Sequence, residues 1–599
     1  MKELLTFTLL GLASGAFIAG LSLTAIVSYQ GAGAVNLANG AIAMFAGYVF
    51  LDLRTTGRLP FLPIAPTGGL GTGPAIVVAV LLSALLGAVF DAVVLRRLRN
   101  SAPLAKLIAT LGLLLTLQAS ILTRFGSDAK AAPSVLPVNT VTLLQVPVPI
   151  AQFLLAGIVL LLAAALILVY RRTRFGLATR AAAEDEAMAM RNGLSPARLS
   201  LINSVLSASL AGLLGVLFAP LSQLDSTTLT LAIVPALAAA LLGQFSSLGV
   251  AMLAGFAMGV IQSLTVWLQT KSWFPTTDGT ALPGVTDVIF FVVIAVVLFG
   301  RGGVLPERGT VAERRLPDAP PATRIAAPVG LATAIGVLTL TFFPAGYRLA
   351  EINTLIGTVI CLSFVVVTGY LGQVSLLQMA LAGICALVLT KLSISSGIGF
   401  PWAPMIGVAL SVVVGTITAI PTLRVRGVSL AILTLAGAVA ISSFWLSNQK
   451  LGFNPLNGTV SPPKLLGVTI GPSATFGIGP GGTPSPIFGF LCLVVAVASA
   501  LFVLHLRRGD LGKRMLAIRS DERAAAAAGI RIRETKLVGY ALSSLLAGTA
   551  GALYAYSFGA VNASSFDVTV VLGFAAVPIS AGSRPLRAPY SVASRAPRR

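Results

Sequence analysis

Apolar runs about as long as a membrane is thick recur along the chain. Ile76 to Leu95, Phe153 to Tyr170 and Ile487 to Leu506 are three of them. A helix needs about 20 residues to cross ~30 Å of hydrocarbon. Inside lipid every backbone N–H and C=O must be satisfied within the chain, so such runs are helices or strands of a closed barrel. Barrel strands are ~10 residues long and alternate in polarity, whereas these runs are longer and apolar on every face. The chain is 56% hydrophobic and only 10% charged, with mean hydropathy +0.93; a soluble domain carries about 25% charged residues. The sequence therefore predicts an all-α polytopic membrane protein with roughly 17 transmembrane helices. The first run follows only Met1-Lys2-Glu3, is long, and is followed at once by another. It reads as an uncleaved first helix rather than a secretory signal.

The net charge of +22 would suggest nucleic acid in a soluble protein. In this chain the Lys and Arg residues mark cytoplasmic loops instead, and no nucleic-acid partner is expected. The basic clusters are Arg96 to Arg99, Arg171 to Arg198, Arg301 to Arg324 and Arg507 to Lys536. Two apolar helices separate the first pair of clusters, four the second pair and six the third. All these counts are even, so one topology puts every cluster inside. Three helices precede Arg96, which places the N-terminus outside. Cys361, Cys385 and Cys492 lie in apolar runs without metal-type spacing, and the single histidine, His505, stands beside Arg507 and Arg508 at a helix end. No metal site and no catalytic constellation can be built from this inventory.

The charged, Pro-rich stretch RGGVLPERGTVAERRLPDAPPATR divides the chain. Residues 1–300 form a first half, 301–326 a cytoplasmic linker, 327–582 a second half and 583–599 a basic tail. The halves are related. A shift of 336 residues lays Gly176 on Gly512, Asp185 on Asp521, Glu186 on Glu522 and Gly193 on Gly529. It also lays Ser207 on Ser543, Ala211-Gly212 on Ala547-Gly548 and Gly215 on Gly551, with no gap. GAGAVNLANG at Gly31 to Gly40 parallels YLGQVSLLQM at Tyr370 to Met379 at a slightly different offset. Such duplications build transporters. An extra helix, about Ala327 to Pro344, precedes the second copy and keeps the two copies parallel. Both Asp-Glu loops then face the cytoplasm, and the halves are pseudo-symmetric about the membrane normal.

Acids at a helix N-terminus, a glycine at its end and arginines nearby account for one such loop on structural grounds alone. Two loops of identical spacing, in a chain so poor in acids, point to a repeated cytoplasmic knob that engages a symmetric partner. Intramembrane polar residues are default pathway residues. Asn36, Asn39, Gln373, Ser375 and Gln378 lie at matching places in the halves; helix–helix hydrogen bonding is the alternative role for them.

FGLATRAAAEDEAMAMRNGLSPARLSLINSVLSASLAGLLG resembles the coupling segment of ABC-transporter permeases of the branched-chain amino acid type. GDLGKRMLAIRSDERAAAAAGIRIRETKLVGYALSSLLAGTAGALYAYSFGAVNASSF resembles the same segment of the sister subunit. VSYQGAGAVNLANGAIAMFAGYV is similar to the second-helix motif of LivH-type subunits, and LGQVSLLQMALAGICALV and RVRGVSLAILTLAGAVA to LivM-type patterns. The family's usual His near Asn39 and Gly-His near Leu377-Gln378 are absent. The resemblance implies a fusion of LivH-like and LivM-like permease halves that imports branched-chain or related amino acids. Gly176, Asp185, Glu186, Gly193, Gly512, Asp521, Glu522 and Gly529 would then shape two short coupling helices docking on two cytoplasmic ATPases. ATP and Mg would sit on those partners, since this chain has no G-x-x-x-x-G-K-[ST]. An extracytoplasmic amino-acid-binding protein would deliver the substrate to a multi-pass protein of the bacterial plasma membrane. A permease for another small solute, such as urea, an amide or a sugar, is the near alternative. An ion-coupled secondary transporter is the distant one. By the same shift the second half should reach about residue 636, but the chain stops at 599 with AGSRPLRAPYSVASRAPRR. The expectation is a second half left incomplete by truncation or a frame shift.

Overall fold

The computed structural model describes residues 2–33, 35–59, 69–99, 103–137, 139–143, 146–277, 280–301, 326–423, 425, 427–448, 460, 462–465, 468–470, 486–559 and 561–566. The predicted linker, between Arg301 and Ala326, and the predicted basic tail lie outside them.

The first half contains α1 (Lys2–Ala32), α2 (Asn39–Thr55), α3 (Thr72–Phe90), α4 (Pro103–Phe125), α5 (Ile150–Arg172), α6 (Arg174–Glu184), α7 (Glu186–Arg191), α8 (Pro196–Phe218), α9 (Thr228–Leu231), α10 (Ile233–Leu242), α11 (Leu248–Gln269) and α12 (Val285–Arg301). The second half contains α13 (Ala326–Phe342), α14 (Ala345–Phe364), α15 (Gln378–Ser395), α16 (Trp402–Thr422), α17 (Gly427–Ala440), α18 (Pro486–Arg508), α19 (Asp510–Ser520), α20 (Glu522–Ala527) and α21 (Ile532–Phe558). A π-helical turn, Val365–Tyr370, continues α14. The longest strands among the described residues are an antiparallel pair, Thr140–Leu143 with Val146–Pro149. Among the described residues eleven helices are long and apolar enough to cross a membrane, and four shorter apolar helices accompany them. The expected total of 17 is not confirmed by these residues. Two, four and six apolar helices separate the successive basic clusters when α9 and α10 are taken together, as the sequence predicts.

The lipid-facing helices wear their polarity inside out. In α3 the buried residues are Ala75, Ala79, Ser83 and Gly87, four apart on one face. Val77, Leu81, Leu85 and Val89 are more than half exposed. The counterpart α16 buries Ala403, Gly407, Ser411, Gly415 and Ala419 and exposes Met405, Val413 and Ile417. Lipid gives Leu and Val no reason to hide, so small side chains that let backbones approach take the inner face.

Each half is built around one central helix. α8 packs on α1, α2 and α3, and α21 packs on α14, α15 and α16. The repeated glycines stand at close helix crossings. A Cβ on Gly215 would lie 1.9 Å from the Ala43 carbonyl oxygen, and one on Gly551 would lie 2.1 Å from that of Ala382. The repeated Ser-x3-Ala-Gly-x2-Gly pattern is thus explained by helix crossing. The halves meet where α4 touches α17 and where α10 and α12 also cover α17. Across this seam Gly284 fits against the Ser443 backbone. Consequently α17 and the turn after it are mostly buried, while the counterpart α4 is mostly not. By the 336-residue shift, counterparts of α10 to α12 would begin at residue 569, outside the described residues, where the expected C-terminal incompleteness also lies.

Candidate functional site

The two basic segments that carry the acid pairs have one architecture. α5 runs into α6 at Thr173, whose hydroxyl accepts a hydrogen bond from the Gly176 N–H at 3.2 Å. Gly176 lies so close to the end of α5 that a Cβ would sit 2.3 Å from the Tyr170 carbonyl oxygen. Gly512 makes the same approach to Leu506, at 2.1 Å. These two glycines let the chain fold back tightly on the end of the preceding long helix. Next comes the acid pair. Asp185 caps α7, its Oδ1 accepting from Ala187 N at 2.9 Å and Met188 N at 3.0 Å. Asp521 caps α20 in the same way, from Arg523 N at 2.7 Å and Ala524 N at 3.3 Å. Side-chain oxygens at this position satisfy amides that have no partner within the helix. Each helix then ends on a glycine with positive φ, +76° at Gly193 and +80° at Gly529. Leu194 N donates to Ala189 O, and Ile530 N to Ala525 O, both at 3.0 Å. This left-handed turn favours glycine and closes the helix end.

The glutamates differ between the halves. Glu186 pairs with Arg99, on the turn after α3, and both side chains are partly solvated. Glu522 pairs with Lys536 on α21 at 2.7 Å, and Lys536 is 1% exposed. The outward faces differ too. α7 exposes Met188 and Met190; α20 exposes Arg523, Ala524, Ala526 and Ala527. Ala189 and Ala525 face inward in both.

The second constellation lies inside the bundle. α1 and α2 are separated by an unwound segment ending at Ala38, and α14 and α15 by one ending at Leu377. Both segments contain a glycine with positive φ, Gly33 at +68° and Gly372 at +70°. Asn36 Oδ1 accepts from Ala38 N at 3.0 Å, and Ser375 Oγ from Leu377 N at 3.5 Å. Leu37 N donates to Thr110 of α4 at 3.4 Å, and Leu376 N to Thr434 of α17 at 3.2 Å. Asn39 and Gln378 open the following helices. Asn39 donates to Thr24 at 3.1 Å. Ser207 donates to the Thr24 carbonyl at 2.9 Å and lies 3.4 Å from Asn39 Oδ1. In the second half Gln378 Nε2 is 3.2 Å from the Ser543 hydroxyl, which donates to the Ser363 carbonyl at 2.9 Å. Ser207 and Ser543 are both the twelfth residue of their helices, about 16 Å from the start. The breaks therefore lie within the bundle and not at its edge.

Gln373 is different from the other polar residues singled out by the sequence. It is 5% exposed, yet among the described residues neither side-chain polar atom has a partner. Gln378 Oε1 is likewise unpaired. The structure thus brings Asn36 and Asn39 together in one half and Gln373, Ser375 and Gln378 in the other. Sequence reasoning missed Thr24 and Ser363, which repeat at the same 339-residue offset as Asn39 and Gln378. It also missed the roles of Arg99, Lys536, Thr110 and Thr434. Among the described residues no group of His, Cys, Asp and Glu could hold a metal ion.

A family described as the branched-chain amino acid transport system permease component matches residues 5–298 and 352–588. The two matches follow the two halves seen in the fold. The chain belongs to this permease family. Curated relatives agree. LivM of Escherichia coli, named as a high-affinity branched-chain amino acid transport system permease protein, is 30% identical over 36% of this chain and 53% of its own length. BraD of Pseudomonas aeruginosa, similarly named, is 28% identical over 42% of this chain and 83% of its own. LivH of Escherichia coli is 28% identical over 40% and 79%. The chain spans about half the length of the first curated relatives it matches. No solved structure matches the chain. The chain carries two such halves in one polypeptide.

Proposed function

We propose that the chain is the translocation unit of an ATP-driven ABC importer for branched-chain or related amino acids. The observation that carries this reading is the duplicated capped helix, α7 and α20, each closed by a left-handed glycine on a cytoplasmic-type basic segment. Each would dock on one of two ATPase subunits. Gly176, Asp185 and Gly193, with Gly512, Asp521 and Gly529, build the knobs; Glu186 and Glu522 anchor them to the helices beneath. ATP and Mg belong to the partner subunits, so this chain itself is not an enzyme. The N-terminus faces outward, the basic clusters face the cytoplasm of a bacterial cell, and a binding protein delivers amino acid from outside.

The unwound segments supply the pathway. Polar backbone inside a membrane is tolerated where it is buried in protein or lines a cavity. Asn36, Asn39, Ser375 and Gln378 hold the breaks in shape, and Gln373 offers an unpaired amide to a passing zwitterion. Rocking of the halves across the α4–α17 seam would expose the breaks to each side in turn. The test is uptake into proteoliposomes holding the chain, Liv-type ATPases and a binding protein. ATP-dependent leucine uptake supports the reading. ATP-dependent uptake confined to urea, an amide or a sugar with the matching binding protein overturns the substrate class but keeps the importer. Uptake driven by an ion gradient without ATP overturns both.

A further inference from the structure

The halves share a fold but not their wiring. In both, the first helix of the cytoplasmic segment packs near the inner end of the half's first long helix: α6 on α1, and α19 on the π turn that ends α14. Only in the second half does a charged tie there come from the cytoplasmic segment itself. Arg519, on α19, donates from Nη1 to the carbonyl of Gly369 within that turn. Its stem lies over Gly372, where a Cβ would come within 2.8 Å of Arg519 Cγ. Burial pulls the guanidinium below its ordinary pKa. Leu371 and Gln373, which begin the unwound segment, donate back to Val366 and Val367 in the same turn. The guanidinium therefore grips the hinge from which the intramembrane break starts. Lys536 adds the second tie, holding Glu522 of α20 against the base of α21.

At the equivalent positions, by the 336-residue shift, the first half has Ala183 and Ser200. Its segment is held otherwise. Asn203 of α8 donates to Thr179 of α6 at 3.4 Å and accepts from Tyr170 of α5. Glu186 reaches sideways to Arg99. These ties run to α8, α5 and the α3–α4 turn, and the cation at the end of α1 comes from elsewhere: Lys106 of α4 donates to the Ala32 carbonyl at 3.2 Å.

Resting on the importer reading above, we propose that Arg519 is a positioning residue: it couples displacement of α19–α20 to the unwound segment 371–377, with Lys536 locking α20 to α21, so that the second half's break follows its ATPase more directly than the first half's. A hydrogen bond from a charged group to a carbonyl resists opening well beyond a neutral one, and motion passes between sites only through elements that are physically tied.

Two readouts test this with the full chain in lipid nanodiscs and proteoliposomes. The first is hydrogen–deuterium exchange on the chain alone. Arg519→Met should speed exchange at residues 369–377 by about tenfold and leave residues 33–38 unchanged. Arg519→Lys, which keeps a donor, should recover most of the protection, and Arg99→Met should leave 369–377 unaltered. Equal exchange at 369–377 in Arg519→Met and Arg99→Met overturns the grip. The second readout adds Liv-type ATPases and a leucine-loaded binding protein. Arg519→Met should keep ATPase association and lower leucine transported per ATP by roughly fivefold or more. An unchanged ratio overturns the transmission role. If the unaltered chain captures no ATPase, the importer reading falls and the transmission role with it, while the exchange result still decides whether Arg519 holds the hinge.

Discussion

Replacing Gly215 or Gly551 with alanine tests the packing logic most sharply. Each adds one methyl group at a helix crossing. At Gly215 that carbon would stand 1.9 Å from the Ala43 carbonyl oxygen, and at Gly551 it would stand 2.1 Å from that of Ala382. Non-bonded atoms sit comfortably at about 3.5 Å, so α8 must retreat from α2, or α21 from α15, by roughly 1.5 Å. Overpacking costs about 1–3 kcal/mol, and rigid backbone on both sides puts these sites at the upper end. Alanine returns about 1 kcal/mol over glycine in a helix interior. The net loss is about 2 kcal/mol. The assay is thermal unfolding in nanodiscs, with Gly157→Ala as the reference. Gly157 is in α5, and a Cβ there meets nothing within 4 Å, so that variant should hold or gain stability. The two costly sites lie in separate halves and should add in the double variant. If Gly215→Ala and Gly551→Ala melt like Gly157→Ala, the crossing argument is wrong.

Gly193→Ala should strain a φ of +76° by about 1–2 kcal/mol, and Gly193→Asn should cost less because Asn tolerates that region; hydrogen exchange of residues 186–194 reads both, and equal exchange in the two variants counts against the turn argument. Asp185→Ala removes two amide partners of a six-residue helix at a cost of about 1 kcal/mol. Trypsin should then cut faster after Arg191, and unaltered cutting would mean the cap does not hold α7. Lys536→Met leaves Glu522 without its buried partner and should destabilise by about 3 kcal/mol, most of it recovered in Lys536→Met/Glu522→Met. Arg99→Met breaks a more solvated pair and should cost under about 1 kcal/mol; melting curves that rank the two single variants the other way would refute the burial argument.

Much of this architecture is legible in the sequence, because lipid leaves a chain few options. Helix number between basic clusters follows from hydropathy and charge alone, and the duplication follows from acids and glycines that are rare enough to align. The repeated glycines were visible as a pattern, but not their separate causes. Gly176 and Gly512 are needed for close approach to the preceding helix, Gly193 and Gly529 for a left-handed turn, and Gly215 and Gly551 for helix crossing. Those causes depend on what lies opposite each residue in space. The glutamates show the same limit. Glu186 and Glu522 align perfectly in sequence, yet their partners, Arg99 and Lys536, come from different elements. The hydrogen-bonded breaks were half legible: Asn39 and Gln378 stood out as polar groups in oil, whereas Thr24, Ser363, Thr110 and Thr434 are ordinary residues until the helices are assembled.

The central claim is that one chain presents two docking helices to two ATPases. Native mass spectrometry of the chain purified from membranes with co-expressed Liv-type ATPases tests it directly. The account predicts one chain carrying two ATPase subunits, falling to one when either α7 or α20 is replaced by a flexible Gly-Ser segment. A chain that carries no ATPase, or whose ATPase content is unchanged when α7 and α20 are both replaced, would contradict it.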